Sequence, residues 1–481
     1  MRPIIKDSIV TTVAFFTERS FGFLRELILA AILGPTAMGL RNVIIMLNNY
    51  STYVYLGTNS EAYREVASFH ETDLERAVRA QKLLQSWGFI ASVVVCIGLI
   101  MFTALSHYSL EFKLSLILLA FITPVMINTA NMANYLQAIG KFKLSSLVEI
   151  IKVVLDLVIT VMLAYFYGFV GAVAGLFIVF VVRYFLYRGV YSKYKILFEW
   201  DYVIKRWNDF VAMLKRSLRL FITSIANTLY MQIDSLVAVV MLGPAALGIY
   251  GVATTLNSLI YGTYGSTVAP VGQRMYKAAG EEHKLKYYLD MLSGISAFLM
   301  VFPIAAIVLI SPYIINYFIP AFSDAIPVIG VLAVASFFNI TLSPISNYVV
   351  AKRKELLITV STVIAGLTNL ILDIYLIQLG YGIIGVAYAT SFSYFLNFVL
   401  LMYLSKALSL KKILEDLIPL VYLIAVLWAW TTDWTLILLL LFTAIYLPIM
   451  YYVFYERGIY QYIKSNIKDV YDRFLKMIGY G

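Results

Sequence analysis

The sequence predicts an all-α polytopic membrane protein of about fourteen transmembrane helices, two six-helix repeat lobes plus a C-terminal helix pair. Three observations predict it. Hydrophobic residues make up 61% of the chain and charged ones 13%, against roughly 45–50% and about 25% in soluble domains. Apolar stretches of helix-spanning length recur from end to end, unlike the ~10-residue alternation of an outer-membrane barrel. A motif in the first two stretches also returns, without gaps, from Gly34 to Gly243.

Hydropathy places the spans near 9–33, 39–63, 84–106, 114–138, 147–167, 170–191, 217–242, 247–273, 287–311, 325–350, 356–379, 383–404, 415–431 and 435–455. Lysine and arginine fall in alternate connections: Arg2 and Lys6, Arg64 to Lys82, Lys141 and Lys143, Arg188 to Arg216, Arg274 to Lys286, Lys352 to Lys354, and Lys406 to Lys412. The opposite loops offer little besides Lys113. The positive-inside rule therefore expects a multi-pass cell (plasma) membrane protein with both termini cytoplasmic. It also reads the net charge of +10 as orientation, so no nucleic-acid partner is expected. Met1-Arg2-Pro3 runs straight into a long charged helix, so the first helix is expected to be retained.

The non-cytoplasmic connections are as short as Gly168-Phe169 and Gly380-Tyr381-Gly382, leaving no room for the catalytic segment of a glycosyltransferase or polymerase. The chain is not expected to be an enzyme. One cysteine, Cys96, cannot form an internal disulfide, and His70, His107 and His283 lie far apart in sequence, so no metal site or cofactor is expected.

The repeat organises the chain. Ala31-Ile-Leu-Gly-Pro-Thr-Ala-Met-Gly-Leu40 matches Val240-Met-Leu-Gly-Pro-Ala-Ala-Leu-Gly-Ile249, and the same offset pairs Lys6 with Lys215, Ser8 with Ser217 and Asn48 with Asn257. Tyr135 to Lys141 resembles Tyr348 to Lys354, and Gly168 to Ala174 resembles Gly382 to Tyr388. The expected domains are an N-terminal lobe at 1–191, an amphipathic cytoplasmic linker at 192–216, a C-terminal lobe at 217–404, an extra helix pair at 405–455 and a basic tail at 456–481. Six spans per lobe give both lobes the same topology, a parallel-repeat transporter layout. The linker and tail mix aromatic with basic residues, which suits anchoring to anionic membrane lipids.

Candidate chemistry lies in polar residues inside spans. Glu18, Arg19, Arg25 and Glu26 sit in the first, where a lipid-facing charge costs about 2.5–3.5 kcal/mol; they should face a polar interior and pair with one another. The spacing of seven puts Glu18 on the face of Arg25 and Arg19 on that of Glu26, with Gly22 between as a close-approach surface. Either the arginines present guanidinium forks to a phosphate, or the set is a neutralised lock between helices. Asn48 and Asn257 are candidates for ligand recognition or for helix-to-helix hydrogen bonding. Arg41 is expected to snorkel, Glu61 and Arg64 to be interfacial, and Lys152 to pair with Glu149 or Asp156 at helical spacing. Asp234 and Asp373, with Asp156, are the candidate ion-coupling acids, or partners for Arg219 or another arginine. Tyr50, Tyr53, Tyr55, Tyr230, Tyr261 and Tyr264 either line a cleft where rings stack on sugars or join interfacial belts.

The run Arg19-Ser-Phe-Gly-Phe-Leu-Arg25-Glu26, followed by Ala31-Ile-Leu-Gly34, resembles the first helix of the multidrug/oligosaccharidyl-lipid/polysaccharide exporter superfamily, with Glu26 where the family carries aspartate. Fourteen spans, the Leu-Gly-Pro-x-Ala-x-Gly repeat and Gln137-Ala-Ile-Gly-Lys141 look most like its polysaccharide (O-antigen type) flippase branch. The resemblance implies a flippase that moves a polyprenyl-(pyro)phosphate-linked oligosaccharide outward by alternating access, with Arg19 and Arg25 as headgroup-phosphate contacts. A coupling ion, H+ or Na+, would be a further partner. The alternative is an ion-coupled multidrug or small-molecule antiporter of the same superfamily. The extra pair speaks against the twelve-helix antiporter branch, and the lack of a base between Asn48 and Tyr53 speaks against lipid II as the substrate.

Overall fold

The computed structural model describes residues 2–194, 196–278, 280–430, 432, 435–457 and 459, so the basic tail lies outside the described residues beyond 459. The chain is all α, with no strand among these residues. In order it forms α1 (Arg2–Ser51), α2 (Thr58–Phe69), α3 (Leu74–Leu105), α4 (Leu110–Ala138), α5 (Phe142–Tyr191), α6 (Tyr202–Lys205), α7 (Trp207–Met241), α8 (Pro244–Lys277) and α9 (Glu282–Phe318). It continues through α10 (Ala325–Ala351), α11 (Glu355–Gln378), α12 (Gly382–Ser405), α13 (Leu410–Trp430) and α14 (Thr435–Glu456). Ten helices among the described residues are long and apolar enough to cross a membrane, as expected of a multi-pass membrane protein.

Two of the long helices are hairpins. Gly34 (φ 70°) breaks α1 and Gly168 (φ 57°) breaks α5, both in the left-handed region where an L side chain is strained. In α5, Arg183 lies 2.6 Å from Glu149. An unbroken helix would hold residues that far apart in sequence about 51 Å from each other, so the two legs run back to back. Pro35 can open the second leg of α1 because the first turn of a helix needs no N–H donor.

Packing divides the chain into two compact units, residues 1–255 with 316–323, and residues 256–315 with 324–481. This is a different cut from the repeat, because the linker, α7 and the start of α8 pack on the first unit. In that unit α1 lies along α5, and α4 covers α5 and α3. The linker is tied to α3: Lys82 meets Glu199 at 2.6 Å, and the Ser86 hydroxyl donates to the Trp200 carbonyl at 2.6 Å. Val203 and Phe210 are buried, whereas Leu197, Phe198, Trp200, Ile204 and Trp207 remain exposed. Beside them, hydrogen bonding to Asp201 holds the Lys205 ammonium pKa above its ordinary value.

The second leg of α1 is itself interrupted by a 3-10 turn, Thr52–Tyr55, followed by left-handed Leu56 and Gly57. Its carbonyls stay satisfied. Trp87 Nε1 donates to Val54 O at 2.8 Å, Thr58 Oγ1 to Tyr55 O at 2.6 Å, and Ser217 Oγ to Leu56 O at 3.0 Å. Arg216 then binds Glu61 and Glu65, each at 2.7 Å, which fastens α2 to α7; Glu61 is therefore a buried partner and not a loose interfacial acid.

The repeated glycine-proline motifs meet reciprocally at the Gly34 turn. A Cβ on Gly39 would lie 1.7 Å from the Pro244 carbonyl oxygen, and one on Gly248 would lie 2.0 Å from that of Pro35. Asn42 meets Gly251, its own repeat equivalent, where a Cβ would come within 2.2 Å of its amide nitrogen.

In the second unit, α10 and α11 both pack on α12. The ends of α13 and α14 close on α9 through Arg457, which binds Glu415 at 2.7 Å, Asp416 at 2.8 Å and the Ser293 hydroxyl at 3.2 Å.

Candidate functional site

The intramembrane charges of the first unit meet where α1 lies along α5. Arg25 donates to Asp156 and, through Nη2 and Nε, to Glu26, the latter at 3.2 Å. Arg41 returns on the second leg of α1 and grips the same Glu26 with both terminal nitrogens, at 2.7 and 3.0 Å. Asp156 also accepts from the Thr160 hydroxyl at 2.7 Å. About two turns back along α5, Glu149 accepts from Arg183 at 2.6 and 3.1 Å and from the Tyr187 hydroxyl at 2.8 Å. Buried charges persist in a low-dielectric setting only when paired and hydrogen-bonded in this way.

These partners correct several sequence expectations. Residues seven apart on one helix are separated by about 10 Å along its axis, so Arg25 pairs with Glu26 and Asp156 and not with Glu18. Glu18 and Arg19 are exposed on α1. Arg41 does not snorkel: it is 2% exposed and locked to Glu26. Gly22 has open space where a Cβ would sit, so it mediates no close approach. Lys152 does not pair with Glu149 or Asp156, because guanidiniums from elsewhere take both acids. It stands half-buried, with no ion pair among the described residues.

Arg19, Arg25, Arg41, Lys152 and Arg183 set five bases against the four acids Glu18, Glu26, Glu149 and Asp156. One positive charge is in excess. Helical spacing assigns Lys152 partners that distant segments of chain claim, and nothing along the sequence singles out Arg183, which takes Glu149.

The remaining candidates are placed separately. Asn48 is 6% exposed, and its amide donates to Met126 Sδ at 3.0 Å while its Oδ1 has no partner among the described residues. Asn257, in the second unit, is 4% exposed and accepts from the Ser336 hydroxyl at 3.4 Å. Asp234, on α7, accepts from the Tyr250 hydroxyl at 2.6 Å. Asp373 is wholly buried on α11, four residues from Asn369, which accepts from Ser393 at 3.0 Å. The side chains of Arg219 and Tyr261 lie outside the described residues. Tyr55 is buried and donates to the Ile127 carbonyl and Asn131 Oδ1, so it belongs to the core and not to a cleft. Tyr230 is buried as well, and Tyr264 accepts from Ser296. Tyr50 and Tyr53 stack on each other near the end of the second leg of α1. Among the described residues no group of three potential metal ligands comes together.

The sequence model of the polysaccharide biosynthesis protein family matches residues 4–272. No curated protein matches the chain. Among solved structures, the lipid II flippase MurJ in an inward closed conformation aligns over 93% of this chain and 99% of its own, with 20% identity and a TM-score of 0.74. An outward-facing multidrug resistance MATE family transporter of the MOP superfamily aligns over 83% and 94%, with 14% identity and a TM-score of 0.62. A MOP superfamily transporter from Pyrococcus furiosus, described by a reversed polarity of its binding pocket, aligns over 83% and 95%, with 15% identity and a TM-score of 0.52. At these identities the likeness is one of fold.

Proposed function

We propose that this chain, which belongs to the polysaccharide biosynthesis protein family within the MOP superfamily of transporters and flippases, translocates a polyprenyl-(pyro)phosphate-linked oligosaccharide across the cytoplasmic membrane by alternating access. The observation that carries this reading is the uncompensated charge between α1 and α5. Glu26, Asp156 and Glu149 are each engaged by arginine, which leaves Lys152 without a counter-ion among the described residues. Exposed Arg19 shares the first leg of α1 with this cluster. A base inside a span is tolerated where an anion shares its cavity, and a lipid-borne phosphate supplies one. The lobes at 1–191 and 217–404 would rock with their lysine- and arginine-rich ends in the cytoplasm, and the meeting of the two glycine-proline motifs would be the seal on the opposite side.

A second reading, an ion-coupled multidrug or small-molecule antiporter, draws support from the MATE-like fold and from the buried acids Asp234 and Asp373. In either reading those acids, with Asp156, are candidate sites for H+ or Na+.

The test is transfer of a fluorescent polyprenyl-diphosphate oligosaccharide in proteoliposomes by the natural protein and by Arg19→Gln/Lys152→Gln, which leaves Arg25, Arg41 and Arg183 intact. Protein-dependent transfer that falls at least about tenfold in a folded variant, the equivalent of ~1.4 kcal/mol, supports the proposal. If no lipid-linked sugar moves while an imposed H+ or Na+ gradient drives a cationic dye, the antiporter reading replaces it.

A further inference from the structure

The second leg of α1 is almost enclosed. Between Pro35 and Tyr55 only Thr36, Asn49 and Thr52 are exposed among the described residues. Asn49 and Thr52 lie six and three residues from the end of a segment apolar enough to span the membrane, and a leg facing lipid would expose leucine or isoleucine there. Their side of the helix is therefore wet.

Two rings share this region. Tyr50 and Tyr53 lie nearly parallel, with centroids 6.2 Å apart and planes 23° from each other. A face-to-face sandwich would bring the rings much closer, so much of each face is left uncovered by the other. Phe221 of α7 meets Tyr53 edge-on at 6.4 Å. α7 runs antiparallel to this leg, with Ser217 against Leu56 and Phe221 against Tyr53, and this register brings exposed Ser224 level with Asn49 and Tyr50. The α1 hairpin has its own register, fixed by Glu26 against Arg41. It places Tyr50 roughly 12 Å and Tyr53 roughly 16 Å beyond the Arg25 level, away from the Gly34 turn, at 1.5 Å per residue.

We propose that Tyr50 and Tyr53, with Asn49 and Ser224, form a carbohydrate subsite that takes the sugar rings of the translocated lipid, separate from the charged cluster that meets its phosphate. The four side chains named are aromatic, amide and hydroxyl, and none of them is charged. That suits the apolar C–H faces and the ring of hydroxyls of a neutral pyranose, and offers nothing to a phosphate. The proposal rests on the flippase reading.

Tyr53 supplies a clean control. Its hydroxyl is buried with no partner among the described residues, so Tyr53→Phe breaks no protein hydrogen bond. The experiment compares transfer of two fluorescent carriers in proteoliposomes, a polyprenyl diphosphate bearing a tri-N-acetylglucosamine glycan and the same polyprenyl diphosphate without sugar. The variants are Tyr50→Leu/Tyr53→Leu, Asn49→Ala and, as a control that keeps the ring, Tyr53→Phe. The leucine pair is expected to slow the glycosylated carrier about tenfold and the bare carrier less than about twofold, on the scale of two lost aromatic contacts; Tyr53→Phe, which keeps the ring and removes only a buried hydroxyl, should leave both carriers within about twofold, and Asn49→Ala should slow only the glycosylated carrier, by about twofold or more. Equal effects of the leucine pair or of Asn49→Ala on both carriers, or none on either, overturn the subsite and leave the flippase reading standing. If the natural protein moves neither carrier, the flippase reading falls and the subsite with it. Should the leucine pair fail to fold, exposed Asn49 decides by the same comparison through Asn49→Ala.

Discussion

Replacing Gly39 by alanine drives a methyl group into the Pro244 carbonyl, 1.7 Å from the new carbon. Real Cβ atoms keep at least 3.0 Å from such neighbours, and the obstacle is backbone at the first residue of α8, which cannot rotate aside as a side chain would. The contact must open or the helix start must shift. Overpacking of this kind costs about 1–3 kcal/mol. At ~2 kcal/mol the equilibrium between sealed and open forms moves roughly 30-fold. The assay uses the single native thiol to advantage: with Cys96→Ser as background, Met38→Cys places one reporter at a position 2% exposed in the sealed form. A membrane-impermeant maleimide, applied from the side of the Gly34 turn, should label it at least about tenfold faster when Gly39→Ala is added. By reciprocity Gly248→Ala should do the same, and the two together should fall short of additive because both relieve one contact. Labelling that stays slow in a folded Gly39→Ala protein would refute the reasoning.

Three other outcomes are expected. Glu26→Gln leaves Arg25 and Arg41 without the carboxylate they share, and the loss should be about 3–5 kcal/mol, read as a large fall in melting temperature that Glu26→Asp partly restores. Gly168→Ala imposes a side chain at φ 57°, ψ −138° and should destabilise by roughly 1–3 kcal/mol without changing substrate preference, measured by thermal unfolding beside transfer rates. Trp200→Phe/Trp207→Phe should remove most of the fluorescence quenching by brominated anionic lipid, and added salt should weaken that quenching in the natural protein if the linker lies on charged headgroups.

The sequence carried the fold because membrane burial writes itself into hydropathy and loop charge, and because duplication wrote the Gly34 and Gly243 motifs twice. The repeat pairs Gly39 with Gly248 but does not say that the two copies touch, which only the close approach of each to the other's proline carbonyl reveals. The charged cluster was legible as a cluster but not as a network. Arg25 and Asp156 stand 131 residues apart, and no periodicity along one helix reports a partner on another. The same blindness gave Lys152 companions it does not have and sent Arg41 to the interface. The interruption at Thr52–Tyr55 left only Gly57 as a sign, because the groups that satisfy its carbonyls come from Trp87 and Ser217 elsewhere in the chain.

The reciprocal glycine contact also bears on ancestry. Gly39 meets Pro244 as Gly248 meets Pro35, and Asn42 meets the residue that is its own copy. That is the signature of an isologous patch crossed by a two-fold axis. A half-length chain bearing one such motif would have offered the same self-complementary surface to a second identical chain. Fusing the two would have preserved the contact while freeing each copy to diverge, so one half could gather the arginine network around Glu26 and Asp156 while its twin kept the matching glycine-proline surface.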